Sequence, residues 1–335
     1  MDNIWIHIVV YAMPWEIDKL ELLVHKFNSS KYYLKPNHRV SFNVVLNVSD
    51  SFTDWDKSKL PKEFFVDKFR SLIEKLAWGD KNYFHIEHED GILFSHDGIQ
   101  GCSDIRRKVI NEADAEDYIL WLDPDIYFSD ISLISVFNTI EALNKNNQKG
   151  YKIISPEIVR YWDESWDSIV NEEFKNSDLG QLYNFDVYEI DSFVFRRSNN
   201  EYGVRLNNEI KFGGGLFTTF SADLLKLIGI PEELGHYGYE DAHILYCSMY
   251  MKQFGYNVNQ YIISNLLVAE DKKFLPTSTS ANDSADDRIV PYYLVYNDYL
   301  VHKQKTDDIR SSIKEKADLI TKQTIDRLHK NAPRT

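Results

Sequence analysis

The sequence predicts an α/β fold: a mostly parallel, doubly wound central sheet flanked by helices, with a C-terminal helical extension. Three observations carry the prediction. Apolar runs of strand length alternate with segments of helical periodicity through the first 130 residues, the pattern of successive strand–helix–strand units. The 335 residues are 43% hydrophobic and 14% aromatic, enough to bury a large core in one elaborated domain or one domain plus an appendage. Near the end, Ile309, Ile313, Ile320 and Leu328 recur among charged neighbours, which marks residues 307–330 as an amphipathic helix.

The elements follow in order. A first strand at residues 5–11 runs into the Met13-Pro14 turn, and Leu20, Leu23, Val24 and Phe27 then recur at helical spacing over 16–27. A second strand spans 40–48 and leaves through a polar, turn-like segment, 47–50. A helix near 63–76, a strand around 83–86 and a helix at 101–113 lead to the apolar run that starts at Tyr118. From 160 to 211 aromatic and acidic residues interleave without a clear period, so short strands such as 187–195 and long loops are expected rather than a second independent domain. Residues 271–290, rich in Ser, Thr, Asn and Asp, read as a flexible connection. There is no internal repeat.

Composition narrows the function classes. A formal charge of −14 argues against broad nucleic-acid binding, which needs concentrated Lys and Arg. Two cysteines, Cys102 and Cys247, are too few for a disulfide framework and lack metal-site spacing, as in a reducing compartment. The start has no basic leader, and no apolar stretch approaches membrane-spanning length, so a soluble, cytoplasmic protein is expected. From residue 301 onward Lys and Arg outnumber Asp and Glu, giving a basic tail on an acidic body. Docking of that tail within the chain or on a subunit is the first expectation, and peripheral contact with an anionic membrane is the second.

The chemistry concentrates in three places. Asp123 and Asp125 directly follow a buried-strand pattern, where ligands of α/β sheets gather, and two carboxylates one residue apart suit a hard divalent cation that also grips a diphosphate. The same spelling at Asp54 and Asp56 lies in a polar stretch with no strand before it and reads as a solvated loop. Gly213, Gly214 and Gly215 sit between apolar flanks, where absent side chains allow backbone to approach a ligand or form a bulge. Glu240 and Asp241 open an apolar helix after a Gly-containing loop; the helix dipole alone favours acids there, and so would a catalytic base.

In that order the three features resemble glycosyltransferases of the GT-A fold, most closely the inverting enzymes of family 2 and their relatives, over roughly residues 4–270. The resemblance implies a Rossmann-like domain at 1–270, with a nucleotide-binding half at 1–130 and an acceptor-binding, catalytic half at 131–270. A linker at 271–300 and the basic helical tail at 301–335 would follow. It implies a nucleotide-sugar donor, UDP-linked by preference, moved to a glycan or lipid-linked acceptor with Mn2+ or Mg2+ as cofactor. Donor contacts would come from Ala12, Met13, Pro14, Asn47, Asp50, Gly101, Asp104, Arg107, Asp123 and the three glycines. Asn47 stands where the family commonly has an aspartate that reads uracil. Asp123 and Asp125 would hold the metal, with His302 as third ligand and Glu270 and Asp271 competing for that place. Asp241 would be the general base and Glu240 would orient the acceptor or donor. Trp162 and Trp166 offer flat faces for the acceptor sugar or, equally, core packing. Two rivals stand beside this reading. A nucleotidyltransferase would show a Gly-rich basic loop after the first strand, and a non-catalytic glycan-binding scaffold would not need all three features.

Overall fold

The computed structural model describes residues 3–48, 60–89, 92–94, 101–162, 203–207, 209–210, 215–235, 239–271 and 306–333. The expected strand at 187–195 and all but the first residue of the connection at 271–290 lie outside them.

Among the described residues ten strands form one sheet: β1 (Ile4–Ala12), β2 (His38–Val48), β3 (Asp80–Glu89), β4 (Ile92–Phe94), β5 (Tyr118–Leu122), β6 (Ile126–Tyr127), β7 (Tyr151–Trp162), β8 (Val204–Asn207), β9 (Phe217–Ser221) and β10 (Val258–Asp271). Their order is β4-β3-β2-β1-β5-β9-β7-β10-β6, with β8 also on β10. Strands β3, β2, β1 and β5 run parallel, and β10 runs parallel to β7, as an α/β chain predicts. Short strands β4, β6 and β8 pair antiparallel at the margins, on β3 and β10, and inside the sheet β9 lies antiparallel between β5 and β7. All five of its residues are buried. A strand covered on both faces has no alternation from which its direction or neighbours could be read.

Helices cover both faces. On one side lie α1 (Ile17–Ser30), α2 (Lys62–Glu74) and α4 (Ser132–Lys145); Ile6, Ile8 and Val10 of β1 point there, against Leu20, Phe69 and Phe137. On the other lie α3 (Cys102–Glu112), α5 (Ala222–Ile228), α6 (Glu240–Gln253) and α7 (Thr306–Lys330), packed around Val9, Val45, Trp121 and Phe220. The period of two along β1 thus divides its side chains between two cores.

The terminal helix belongs to the second core. Ala317, Ile320 and Leu328 are buried in it, Thr321 meets His243 of α6 at 2.9 Å, and the Tyr256 hydroxyl donates to the Leu328 carbonyl at 2.9 Å. Arg327 donates to the Leu227 and Ile228 carbonyls at the end of α5, where a cation complements the helix dipole. The tail therefore docks within the chain, as expected, but mainly by apolar packing. Its exposed charges are not what seats it.

His243 gives this junction a pH dependence. Burial above all, with the nearby Arg327 charge, holds its imidazole down at about 4, against a hydrogen bond with the Gly229 backbone and the Glu240 carboxylate. The folded chain keeps His243 neutral while the unfolded chain protonates it near the ordinary value of about 6.5. Stability should therefore fall as pH drops from about 6.5 to 4, by about 2–3 kcal/mol for this group. Denaturant unfolding across that window should show a flatter pH dependence for His243→Gln; parallel curves would remove His243 as the cause.

Candidate active site

Parallel strands bring their carboxyl ends to one edge of the sheet, and Ala12, Asn47 and Asp123 stand there because each ends or follows a strand. β1 ends at Ala12, opposite Leu46 of β2. Beyond it Met13 and Pro14 enter a 3-10 turn, Pro14–Glu16, where the Met13 N–H donates to Glu16 Oε2 at 2.8 Å. Ala12, Met13 and Asn47 are buried. Pro at the first helical position and the returning Glu16 carboxylate set the chain's exit from the sheet. Trp162 ends β7 at the same edge. Asp50, Trp166, Gly213, Gly214 and His302 lie outside the described residues, as does the side chain of Trp162.

The turn after β5 carries Asp123 and Asp125, both half-buried, on either side of Pro124. β6 starts at once and pairs antiparallel with β10, Ile126 opposite Glu270, so the β10 backbone passes beside Asp125. Among the described residues no group of three or more His, Cys, Asp or Glu side chains could hold a metal ion. The donor set is nonetheless suited to a hard cation, since such ions accept a few carboxylates and complete their shell with water and phosphate oxygens.

The acid pair reaches the same place from α6. Glu240 is 3% exposed and forms an ion pair with Arg106, Nη1 to Oε1 at 2.7 Å. Asp241 accepts the Ala242 N–H at 2.7 Å and also the N–H of Gly215. One residue on, the Leu216 carbonyl accepts the Asp123 N–H at 3.2 Å. Gly215 and Leu216 therefore join the start of α6 to the turn after β5 through adjacent backbone groups. Burial first, then the Glu240 carboxylate, pushes the Asp241 carboxyl up, against Arg106 and the two N–H groups. A carboxylate raised in this way is a stronger base.

Arg106 is the residue that the sequence reading missed. It is 6% exposed, its Cζ lies 4.2 Å from the centre of the Trp121 ring, and a Cβ on Gly215 would stand 2.5 Å from its Nη2. Burial opposes its charge, while the Glu240, Asp123 and Asp241 carboxylates favour it, and a guanidinium stays protonated throughout. One guanidinium thus faces three carboxylates, an excess of negative charge that a divalent cation would offset.

Arg107, the arginine selected from sequence, points elsewhere. It donates to Asp104 at 2.5 Å and to the carbonyls of Ile230, Pro231 and Gly235 at 2.9, 3.1 and 2.5 Å. Asp104 and Arg107 together fasten α3 to residues 230–235, which carry the 3-10 turn Glu232–Leu234. Gly101 is the buried N-cap of α3.

Tyr239, just ahead of the acid pair, has φ 60° and ψ 16°, a left-handed conformation that side chains other than Gly seldom adopt. Its ring also packs against the second core. Tyr239→Gly removes the packing and the strain together, whereas Tyr239→Ala removes only the packing. The Gly variant should therefore be the more stable of the two by about 1 kcal/mol in thermal or denaturant unfolding. The opposite ranking would show that the left-handed backbone costs nothing here.

No family model matches the chain, and a search of curated proteins finds no match. Among solved structures, S. aureus TarS 1–349 aligns with 94% of this chain and 71% of its own, at 13% identity and a TM-score of 0.43. The same protein in complex with UDP-GlcNAc aligns over 94% and 72%, at 15% and 0.40. Mannosyltransferase PcManGT from Pyrobaculum calidifontis, in complex with GDP-Man and Mn2+, aligns over 98% and 73%, at 13% and 0.40. Likeness at these levels assigns no residue a role.

Proposed function

We propose that this chain is a nucleotide-sugar-dependent glycosyltransferase of the GT-A type that moves a sugar to a hydroxyl acceptor with inversion. One observation carries the reading: the Asp123-Pro124-Asp125 turn and the Glu240-Asp241 helix start, more than a hundred residues apart, meet through the backbone of Gly215 and Leu216. Glycosyl transfer needs such a pairing, since negative charge grows on the departing diphosphate while a proton leaves the attacking hydroxyl.

In this reading Asp123 and Asp125 hold Mn2+ or Mg2+, with His302, Glu270 or Asp271 as a third ligand and donor oxygens and waters as the rest. The bound cation would supply positive charge at the departing diphosphate. Ala12, Met13, Pro14 and Asn47, at the ends of β1 and β2, would line the nucleoside, with Asp50 and the glycines 213–215 nearby. Gly101 would belong to this lining through the start of α3, and Asp104 and Arg107 would steady it by fastening α3 to residues 230–235. Asp241 would take the acceptor proton as the acceptor oxygen attacks the anomeric carbon, the C–O bond to the diphosphate breaking on the opposite face. Glu240 would orient the sugar or acceptor. Trp162 and Trp166 remain the proposed acceptor platform. A UDP-sugar donor and a glycan or lipid-linked acceptor follow the resemblance, and a cytoplasmic setting follows the sparse cysteines. No described helix is long and apolar enough to cross a membrane.

The turn after β1 argues against the nucleotidyltransferase rival, because Met13 and Pro14 lead into a capped 3-10 turn and not a Gly-rich phosphate loop. A panel of UDP- and GDP-linked sugars, scored for manganese-dependent release of the nucleotide and for thermal stabilisation, tests the assignment. At least one donor should be consumed and should raise the melting temperature. A chain that consumes none and is stabilised by none is not a transferase.

A further inference from the structure

A buried guanidinium is costly and stays charged, so the surroundings that hold Arg106 in place have a strong effect on everything bonded to it. Those surroundings come from three distant parts of the chain. Helix α3 supplies Arg106 itself, and the Trp121 ring of β5 covers its guanidinium. Helix α6 supplies Glu240; the two charged side chains are only 7% and 4% exposed. The third part is Gly215, where any side chain would collide with Nη2. Gly215 is also the residue whose N–H donates to Asp241. The guanidinium therefore touches both neighbours of the proposed base, one through an ion pair and the other through close packing, without itself being placed on the substrate.

We infer that Arg106 is a positioning residue for sugar transfer: clamped between Trp121, Glu240 and Gly215, it fixes where the Asp241 carboxylate stands relative to the Asp123 turn. The role rests on the glycosyltransferase reading. A base acts only within hydrogen-bond reach of the proton it takes, so a small displacement of α6 against Gly215 separates chemistry from binding. The absence of a side chain at 215 is part of the same device, because only glycine lets Nη2 lie against that backbone.

The test is a double-mutant cycle of Arg106→Lys and Gly215→Ala, with rates expressed per folded molecule on whichever UDP- or GDP-linked sugar the panel identifies. Lysine keeps the charge but lacks the planar fork and Nη2. Arg106→Lys should lower kcat by about 100-fold, the scale of a misplacement near 1 Å, with donor KM and manganese-dependent UDP or GDP affinity within about three-fold of the parent. Gly215→Ala should lower kcat by a similar factor in the parent and add little to that loss in the Arg106→Lys background, where the atom it strikes is gone. If Arg106→Lys does not fold, Arg106→Gln, whose amide can still donate to Glu240 but lacks Nη2, replaces it in the cycle, with the same non-additivity expected. Parental kcat in the Arg106 variant, effects that multiply, or a Gly215→Ala effect confined to donor KM would each overturn the role. A parent that consumes no nucleotide sugar overturns the transferase reading itself, and the positioning role with it.

Discussion

Asp241→Asn should lower transfer by about two to four orders of magnitude, the usual contribution of a general base, while metal and nucleotide affinity stay within a few-fold of the parent. The substitution keeps the size of the side chain and an oxygen that can accept the Gly215 and Ala242 N–H groups. It removes only the capacity to take a proton. Because burial and Glu240 hold the Asp241 carboxyl up, the acidic limb of the parental kcat profile should lie above the range of an ordinary carboxylate. Asp241 ionises as pH rises through that limb, so activity is lost as pH falls through it. Steady-state kinetics at saturating acceptor decide: near-parental kcat in Asp241→Asn transfers the base role to Glu240 or points to a retaining route.

Asp125→Ala should have a different signature. It should abolish manganese-dependent nucleotide binding as well as transfer, because a cation at the departing diphosphate supplies several kcal/mol, or about three or more orders of magnitude in rate. Asp125 lies half-exposed in the turn just before β6, where a substitution costs less than in the core, so the fold should persist. Titration calorimetry with UDP or GDP, with and without manganese, separates the two variants. Asp241→Asn should titrate like the parent and Asp125→Ala should not; unchanged affinity in Asp125→Ala would reduce the Asp123/Asp125 pair to a turn. Together the two substitutions test whether donor binding and proton transfer occupy opposite sides of Gly215 and Leu216.

The sequence by itself determined the parts of this protein that depend on local pattern. Strands β1, β2 and β5 and helices α1, α2, α3 and α7 were legible because apolar residues recur with periods of two or 3.6, or in short fully apolar runs bounded by turns. The terminal helix, expected at 307–330, spans Thr306–Lys330. The positions of Asp123 and of Glu240 and Asp241 at element ends were legible for the same reason. Helix α1 runs on to Ser30 where the pattern was read only to Phe27, since Asn28, Ser29 and Ser30 add little to an apolar stripe. Tertiary structure alone decided the direction of β9, whose five buried residues carry no alternation, and the choice between two adjacent arginines. Arg106 shares the buried face of α3 with Cys102, Ile105, Val109 and Ile110, and that helical phase was the available signal. Even so, phase cannot reveal a partner: Glu240 lies 134 residues further along, and only the folded sheet brings the two within 2.7 Å. Local periodicity encodes which face of an element is buried, but which charge will meet another inside the core depends on how distant segments close around it.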